Sequence, residues 1–306
     1  MFKFIVRRFL QTIPVVIGVT LLVFSLMHLI PGDPAQIMAG ETAPPAQVER
    51  MRERLGLNDP IYVQYGRYMS NLLQGDMGQS IRSSRDVLDE IRPRFWITVK
   101  LALYSTVLSV FIGLIAGVFS AVRRYGIADT TIMIVALFGL SMPNFWLGLM
   151  LIQYFSIELR WLPPSGWGTW QQTILPVITL GTAGAAIIAR VTRASMLEVI
   201  NQDYVRTARA KGLSERVVIY KHGLKNAMIP VITVVGLELG VLLSGTVLTE
   251  TVFSINGMGR MVIQAIGSRD FPVVQGVVLI FALMFVLVNF LVDVSYRYFN
   301  KRVDYN

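Results

Sequence analysis

The side chains that carry most enzyme chemistry are scarce in this sequence. It has no cysteine, and its two histidines are His28 and His222. It contains no G-x-x-x-x-G-K-[ST] phosphate loop, no H-E-x-x-H zinc motif and no G-x-S-x-G nucleophile motif. The sequence therefore predicts no disulfide, no metal site, no nucleotide cradle and no catalytic residue of its own.

Glu238 is the ionisable residue that lies well inside a long apolar run, residues 226–249. A charged acid at the centre of a bilayer costs at least about 2.5 kcal/mol on insertion scales, so its side chain is expected to face a partner or a cavity and not lipid. Asn144 and Asn289 are polar residues in other apolar runs. Each either lines a polar path or makes a hydrogen bond between helices.

Small residues recur at helical spacing in two apolar runs. They are Gly113 and Gly117 in one run, and Gly236, Gly240 and Ser244 in the other. Small side chains let helices in membranes approach closely, so these positions predict helix packing and not ligand binding. Two residues turn a helix by about 200°, which puts Glu238 nearly opposite Gly236. If the second stripe packs on a neighbouring helix, Glu238 points elsewhere.

The elements that position these residues are predicted to be membrane helices. Of 306 residues, 54% are hydrophobic and 15% are charged, with a mean hydropathy of +0.56, whereas about 25% of residues in an ordinary globular domain are charged. Six apolar segments approach or exceed the roughly 20 residues that cross a bilayer. They are 9–30, 101–122, 130–157, 171–189, 226–249 and 271–292. The predicted fold class is an all-α integral membrane protein with six transmembrane helices.

The distribution of charge predicts the orientation of the chain. The net charge of +9 comes from basic residues in the gaps between apolar runs, which argues against a nucleic-acid-binding face. Short basic loops face the cytoplasm, and they occur before the first span, at Arg123 and Arg124, and from Arg190 to Lys225. Six spans then leave both termini cytoplasmic. The predicted parts are 1–30, the N-terminus and first helix; 31–97, an extracytoplasmic loop region; 98–296, a five-helix core with a cytoplasmic loop at 190–228; and 297–306, a cytoplasmic tail.

The region 31–97 opens with a turn at Pro31-Gly32 and contains a predicted helix, Pro45–Leu55. Thr42 or Pro44 lies near its start, Pro45 stands in its first turn and Gly56 ends it. The region is either a small external subdomain that contacts a partner or covers a pore, or a folded linker between spans.

The loop at 190–228 predicts two short helices joined by a turn. Asp203 is expected to cap a helix over 204–211, Gly212 to end it in a left-handed conformation, and Ser214 to cap a second helix. Such a helix-turn-helix would lie across the cytoplasmic mouth of the protein. A solvated basic loop is the alternative that the spacing alone leaves open.

At these residues the sequence resembles a known family. The run from Tyr204 to Leu213, YVRTARAKGL, is similar to the EAA loop of permease subunits in binding-protein-dependent ABC importers, in the form found in the dipeptide/oligopeptide/nickel branch. Arg206 and Thr207 stand where Glu and Ala give the loop its name. Five further stretches resemble the first permease of the pair in that branch, at 29–35 (LIPGDPA), 55–65 (LGLNDPIYVQY), 75–78 (GDMG), 161–166 (WLPPSG) and 269–272 (RDFP).

The resemblance implies a permease subunit with the type I fold of ABC importers, in a bacterial or archaeal plasma (inner) membrane. It implies a second homologous permease, two cytoplasmic ATPase subunits that bind ATP and Mg, and an extracytoplasmic protein that delivers di- or oligopeptides, glutathione or nickel chelates. The chain itself would hold no cofactor. The residues implied in ATPase coupling are Arg206, Ala208, Arg209, Lys211, Gly212 and Glu215.

Two other classes of membrane protein are weaker interpretations. A secondary transporter driven by an ion gradient needs intramembrane ion-coupling groups and usually internal repeats, whereas this sequence has one acid inside a span and no obvious repeat. An intramembrane enzyme needs a catalytic constellation. In an importer, Glu238 either attracts the positively charged amino terminus of a peptide or is protonated and hydrogen-bonded to a nearby helix.

Overall fold

The computed structural model describes residues 2–29, 33–40 and 42–299, and its regular structure is helical. The predicted turn at Pro31-Gly32 and residues 300–306 of the predicted tail lie outside this part of the chain. In order, the helices are α1 (Phe2–Leu29), α2 (Pro34–Ala39), α3 (Pro45–Leu55), α4 (Ile61–Leu73), α5 (Val87–Val122), α6 (Ile127–Ser141), α7 (Asn144–Leu151), α8 (Trp170–Ile200), α9 (Asp203–Ala210), α10 (Glu215–Val217), α11 (Lys225–Gly245), α12 (Val247–Val252), α13 (Met258–Gly267) and α14 (Phe271–Phe299). Two π-helical segments, Ile152–Glu158 and Val218–Leu224, continue α7 and α10.

The chain forms two compact units. The first unit is drawn from Met1–Thr98 and Asn256–Val286, and the second from Val99–Ile255 and Leu287–Asn306. The helices α5 and α14 therefore contribute residues to both units.

In the first unit, α1 and α4 meet through aromatic residues. The ring of Phe24 lies 5.4 Å from that of Tyr65 and 5.8 Å from that of Tyr68, measured between ring centroids. The hydroxyl groups of Thr20 and Tyr65 are 2.9 Å apart. Burial of Tyr68 raises the pKa of its phenol to about 12. A tyrosine is already neutral at physiological pH at its ordinary pKa of about 10, so the shift leaves the charge of Tyr68 unchanged and the side chain is a neutral packing group.

The predicted helix Pro45–Leu55 is confirmed with the same bounds. Pro44 occupies the N-cap position in an extended conformation, and Pro45 takes the first turn, where its missing N–H costs nothing. Gly56 ends the helix with φ +66°, and its amide donates to carbonyl groups of the last turn.

Five helices in the described residues are long and apolar enough to cross a membrane, and they match five of the six predicted spans. The third predicted span is different, because α6 and the continuous helix Asn144–Glu158 meet at 99°. Pro143 has no N–H to continue the helix, and Met142 before it is extended, with ψ 126°. The predicted span 130–157 is therefore a sharply bent pair of helices, which supplies the sixth span if the pair is counted as one.

Several helices are longer than the apolar runs that predicted them. The helix α5 begins at Val87, inside the stretch predicted as a loop, and α8 continues to Ile200. The helix that contains α11 begins at Glu215, because α10 and a π-helical segment run into it without a break. The helix α13 and the second half of α12 occupy a stretch between the fifth and sixth spans for which no helix was predicted, whereas residues 247–249 of α12 fall at the end of the predicted fifth span. The buried face of α13 carries Met258, Met261, Val262 and Ala265, a spacing typical of an amphipathic helix.

The second unit is organised around α8. Buried residues occur along most of its length, from Leu175 to Met196, and on more than one side. A helix that is buried all round needs packing partners on several faces. Here α5, α6 and α11 supply them.

Candidate functional site

The segment 203–217, here called the coupling segment, is a short helix followed by a tight turn. Gln202, and not Asp203, holds the N-cap position of α9, so the predicted cap was wrong. Asp203 is the first helical residue, where its negative charge still faces the positive end of the helix. Gly212 has φ +75°, as predicted for a left-handed stop. Ser214 precedes α10 but makes no side-chain capping bond.

One face of α9 is buried within the chain. Val205, Ala208 and Val218 form a small apolar cluster, and Val199 at the end of α8 packs against it. Ala208 is only 6% exposed. Its small side chain therefore sets the approach of α9 to its own chain and is not free to contact a partner.

The opposite face of the coupling segment is exposed and charged. The Nε atom of Arg209 donates to Oε1 of Glu215 at 2.8 Å, across the turn at Gly212. Arg206 and Lys211 are exposed on the same segment. A Cβ at Gly212 would meet nothing within 4 Å, so a partner could approach the turn closely. Of the six predicted coupling residues, all but Ala208 are thus available at the surface.

Glu238 lies half-buried in α11, beside α8. A Cβ at Gly184 would lie 3.0 Å from Oε1 of Glu238 and 2.6 Å from Oγ of Ser109. The carboxyl group and the hydroxyl group therefore flank the same glycine, where α5, α8 and α11 converge. Gly236 faces the other way, because a Cβ there would lie 1.9 Å from Cγ2 of Val292 in α14.

The two predicted asparagines are not gathered around Glu238 by hydrogen bonds. Asn144 is half-buried and begins α7 directly after the break at Pro143, and Asn289 is half-buried in α14. Among the described side chains, no hydrogen bond joins Asn144, Asn289 and Glu238. A polar path shared by these residues therefore remains a prediction.

Three of the predicted small residues, Gly113, Gly117 and Gly236, lie at close contacts between helices. A Cβ at Gly113 would come within 2.7 Å of Ile188 and 2.9 Å of the carbonyl oxygen of Ala185. A Cβ at Gly117 would come within 2.5 Å of Thr192 and 2.6 Å of the carbonyl oxygen of Ala189. In α11, Gly240 is buried and Ser244 Oγ donates to its carbonyl oxygen at 2.9 Å.

A buried ion pair that the sequence did not single out connects three helices. Arg193 in α8 binds Asp129 in α6 through two hydrogen bonds, Nε to Oδ1 at 2.6 Å and Nη2 to Oδ2 at 2.7 Å. Ser120 of α5 and the backbone amide of Tyr125 also donate to this carboxylate. The Asp129 side chain is only 4% exposed. In the sequence, nothing distinguishes Arg193 from the other basic residues near it, and Asp129 belongs to no recognisable motif.

In the first unit, the carboxylate of Asp270 is an anchor that holds a distant turn of the chain through hydrogen bonds. It accepts from Ser80 Oγ at 2.5 Å and from the amide of Ile81 at 3.1 Å. These bonds hold the turn before α5 to the start of α14. A cavity of about 500 Å³ lies beside the anchor, lined by residues that include Arg82, Glu90, Arg94, Met261 and Gln264.

Comparison with known families identifies the chain. The family described as "Binding-protein-dependent transport system inner membrane component" matches residues 109–305, and its N-terminal counterpart matches residues 1–102. The chain belongs to this family. It is the permease subunit of an ABC importer and a multi-pass inner membrane protein. Membership of this family favours ATP-driven import over transport driven by an ion gradient.

Individual relatives resemble this permease along its whole length. It is 47% identical over 305 residues to the glutathione transport system permease protein GsiC of Escherichia coli K12, with 100% of both chains covered. It is 45% identical over 333 residues to the dipeptide transport system permease protein DppB of Alkalihalophilus pseudofirmus, again with 100% of both covered.

Solved structures agree on the fold. An inward-facing structure of the MetNI methionine ABC transporter matches the permease with a TM-score of 0.59 and 21% identity, covering 69% of this chain and 96% of that chain. An amino acid ABC transporter crystallised with histidines matches with a TM-score of 0.52 and 19% identity, covering 68% and 94%. At these identities the matches show that the permease has the fold of an ABC importer subunit.

Proposed function

We propose that this permease forms, with a second homologous permease, the path by which an ATP-driven importer takes up small peptides of the glutathione and dipeptide class. The observation that carries the proposal is its identity of 47% and 45%, over complete chains, to a glutathione permease and a dipeptide permease. An extracytoplasmic solute-binding protein delivers the cargo. Both termini and the coupling segment lie on the cytoplasmic side, and the region 31–97 lies outside.

Two cytoplasmic ATPase subunits, which bind ATP and Mg, drive transport through the coupling segment. The charged face of α9 supports this role, because exposed charges of both signs favour recognition and register at a partner surface. Arg206, Lys211 and Glu215 are exposed there, while Val205 and Ala208 fix the helix to its own chain. A helix held in this way moves as a rigid part of the permease when its partner moves.

The experiment compares two glycines in matched surroundings. Gly212 and Gly75 both have left-handed backbones, with φ +75° and +82°, and a Cβ at either would meet nothing within 4 Å. Tryptophan therefore introduces similar backbone strain at both sites, and the two variants differ in where the new side chain lies. We expect Gly212→Trp to lose co-purification of the ATPase subunits and ATP-dependent uptake of glutathione or dipeptides in proteoliposomes.

The control Gly75→Trp should keep ATPase co-purification, because it lies after α4 in the region proposed to be outside. Gel filtration establishes that both variants are folded. If Gly212→Trp binds the ATPase subunits as well as the parent does, the coupling segment is not their docking site. If the parent complex takes up neither glutathione nor dipeptides, the proposed cargo class is wrong.

A further inference from the structure

The ion pair between Asp129 and Arg193 lies close to the coupling segment along α8. Arg193 is seven residues before Ile200, the last residue of α8, which corresponds to about 10 Å of helix. Val199, near that end, packs against the buried face of α9. A displacement of α9 therefore reaches Arg193 through a packed and continuous helix.

On the other side of the ion pair, α6 leads to the break in the third span. Asp129 lies in the first turn of α6, which ends at Ser141, directly before Met142 and Pro143. There the chain turns by 99°, and Asn144 begins the next helix. Because α6 is a single helix between Asp129 and the break, a pull on Asp129 acts on the geometry of the bend.

The geometry of the pair is suited to carrying such a displacement. The guanidinium of Arg193 contacts both carboxylate oxygens of Asp129, which fixes orientation as well as distance. The Ser120 hydroxyl and the Tyr125 amide hold the same carboxylate from the end of α5 and the following turn. The pair is thus a rigid joint between α8 and α6, supported by α5.

We propose that the Asp129–Arg193 pair is a positioning joint that transmits the ATP-driven displacement of the coupling segment to α6 and to the bend at Met142-Pro143. This inference rests on the proposed docking of ATPase subunits at the coupling segment. It adds that the bend is the part of the permease that responds. A purely structural pair would hold the fold together but would not affect the number of solutes moved per ATP.

The decisive variant is Arg193→Lys, measured in the complete transporter in proteoliposomes. Lysine keeps the positive charge but cannot make the two parallel bonds of a guanidinium. We expect ATP hydrolysis to stay within about twofold of the parent and uptake per ATP hydrolysed to fall at least about fivefold. The control Arg190→Lys changes an exposed arginine one turn earlier in α8 and should leave the ratio unchanged.

A fluorescent label follows the displacement directly. The chain has no cysteine, so single labels can be placed without competing sites. Tyr220→Cys is exposed on the π-helical segment that packs against α9 and reports the coupling segment from outside its proposed docking face, and Leu137→Cys, on an exposed position of α6, reports the helix before the bend. In the parent, ATP should change the signal at both positions. In Arg193→Lys the label at position 220 should still respond, and the label at position 137 should respond less by at least about fivefold.

Two results would overturn the inference alone. Provided that the parent complex transports, the inference is wrong if Arg193→Lys takes up as much solute per ATP as the parent. It is also wrong if the label on α6 responds to ATP in Arg193→Lys as strongly as in the parent. A parent complex that shows no ATP-driven uptake would overturn the proposed function and this inference with it. If Arg193→Lys yields too little folded complex, Asp129→Glu replaces it, because it keeps the charges and displaces the carboxylate by one methylene, and the same outcomes decide.

Discussion

Replacement of Gly117 by alanine tests whether close packing of α5 on α8 holds the second unit together. The added methyl group would lie 2.6 Å from the carbonyl oxygen of Ala189 and 2.5 Å from Cβ of Thr192. Neither atom can move away by a simple side-chain rotation, because one belongs to the backbone and the other is attached to it. The two helices must therefore separate locally to admit the methyl group.

The size of the effect follows from these distances. The contact with the Ala189 oxygen is shorter than an ordinary 3.4 Å contact by roughly 0.8 Å, so favourable contacts around it are lost as the helices separate. Overpacking of this kind costs about 1–3 kcal/mol. The higher helix propensity of alanine returns about 1 kcal/mol. The difference is a loss of about 0–2 kcal/mol. Because neither contact can be relieved by a side-chain rotation, we expect the upper half of this range, a fall of about 1–2 kcal/mol in the free energy of unfolding.

The assay is reversible unfolding in mixed detergent micelles, with Gly18→Ala as the control. A Cβ at Gly18, in α1, would meet nothing within 4 Å, so this variant should lose no stability. Gly113→Ala should lose stability for the same reason as Gly117→Ala, since its methyl group would lie 2.9 Å from the carbonyl oxygen of Ala185 on the same helix. One separation of α5 from α8 relieves both clashes, so the double variant should lose less than the sum of the single losses by at least about 0.5 kcal/mol. The reasoning fails if Gly117→Ala is as stable as Gly18→Ala, or if the two losses simply add.

Two further substitutions test polar groups. Asp270→Asn places an amide N–H₂ group against the donors of Ser80 and Ile81, and a buried donor left unpaired costs about 1–3 kcal/mol, so the turn before α5 should loosen and trypsin should cleave faster after Arg82. The control is Asp76→Asn, at an exposed carboxylate that accepts from the Gly78 amide. Equal cleavage rates in the two variants would contradict the role of Asp270 in holding this turn. Glu238→Gln keeps the size of the side chain and removes its charge, so it should assemble normally and slow uptake of cationic peptides more than neutral ones, whereas parent rates for every peptide would exclude the electrostatic role.

Most of the helices follow from local features of the sequence. A long apolar run is enough to predict a spanning helix, because the backbone must satisfy its own hydrogen bonds in lipid. Two prolines and a glycine were enough to place both ends of the helix Pro45–Leu55, because each restricts the backbone at its own position. Pro143 explains why a helix ends there, because proline has no N–H to continue the helix, but it does not set the 99° angle between the two helices.

The buried polar contacts of Asp129 and Asp270 join residues far apart in the chain. Asp129 and Arg193 are separated by 64 positions, and Ser80 and Asp270 by 190. No local pattern links such pairs, so the sequence presented Arg193 as one more basic residue near a loop. The predicted cap at Asp203 was wrong by one position, because Gln202 has the extended backbone of an N-cap and the helix begins one residue earlier than predicted.

The helix α8 connects the two sites proposed to act in transport, which are Glu238 and the Asp129–Arg193 pair. The carboxyl group of Glu238 and the hydroxyl group of Ser109 flank Gly184 of α8, and Arg193 is nine residues further along the same helix. Nine residues make about two and a half turns, so the two residues lie on nearly opposite sides of α8 and about 13.5 Å apart along its axis. A rotation of α8 that is driven through the coupling segment would therefore move the Asp129 joint and the surroundings of Glu238 in opposite directions. Arg193→Lys, which disrupts the joint, should then also reduce the preference for cationic peptides that Glu238 is expected to confer. Glu238→Gln, in contrast, should leave the number of neutral peptides taken up per ATP unchanged.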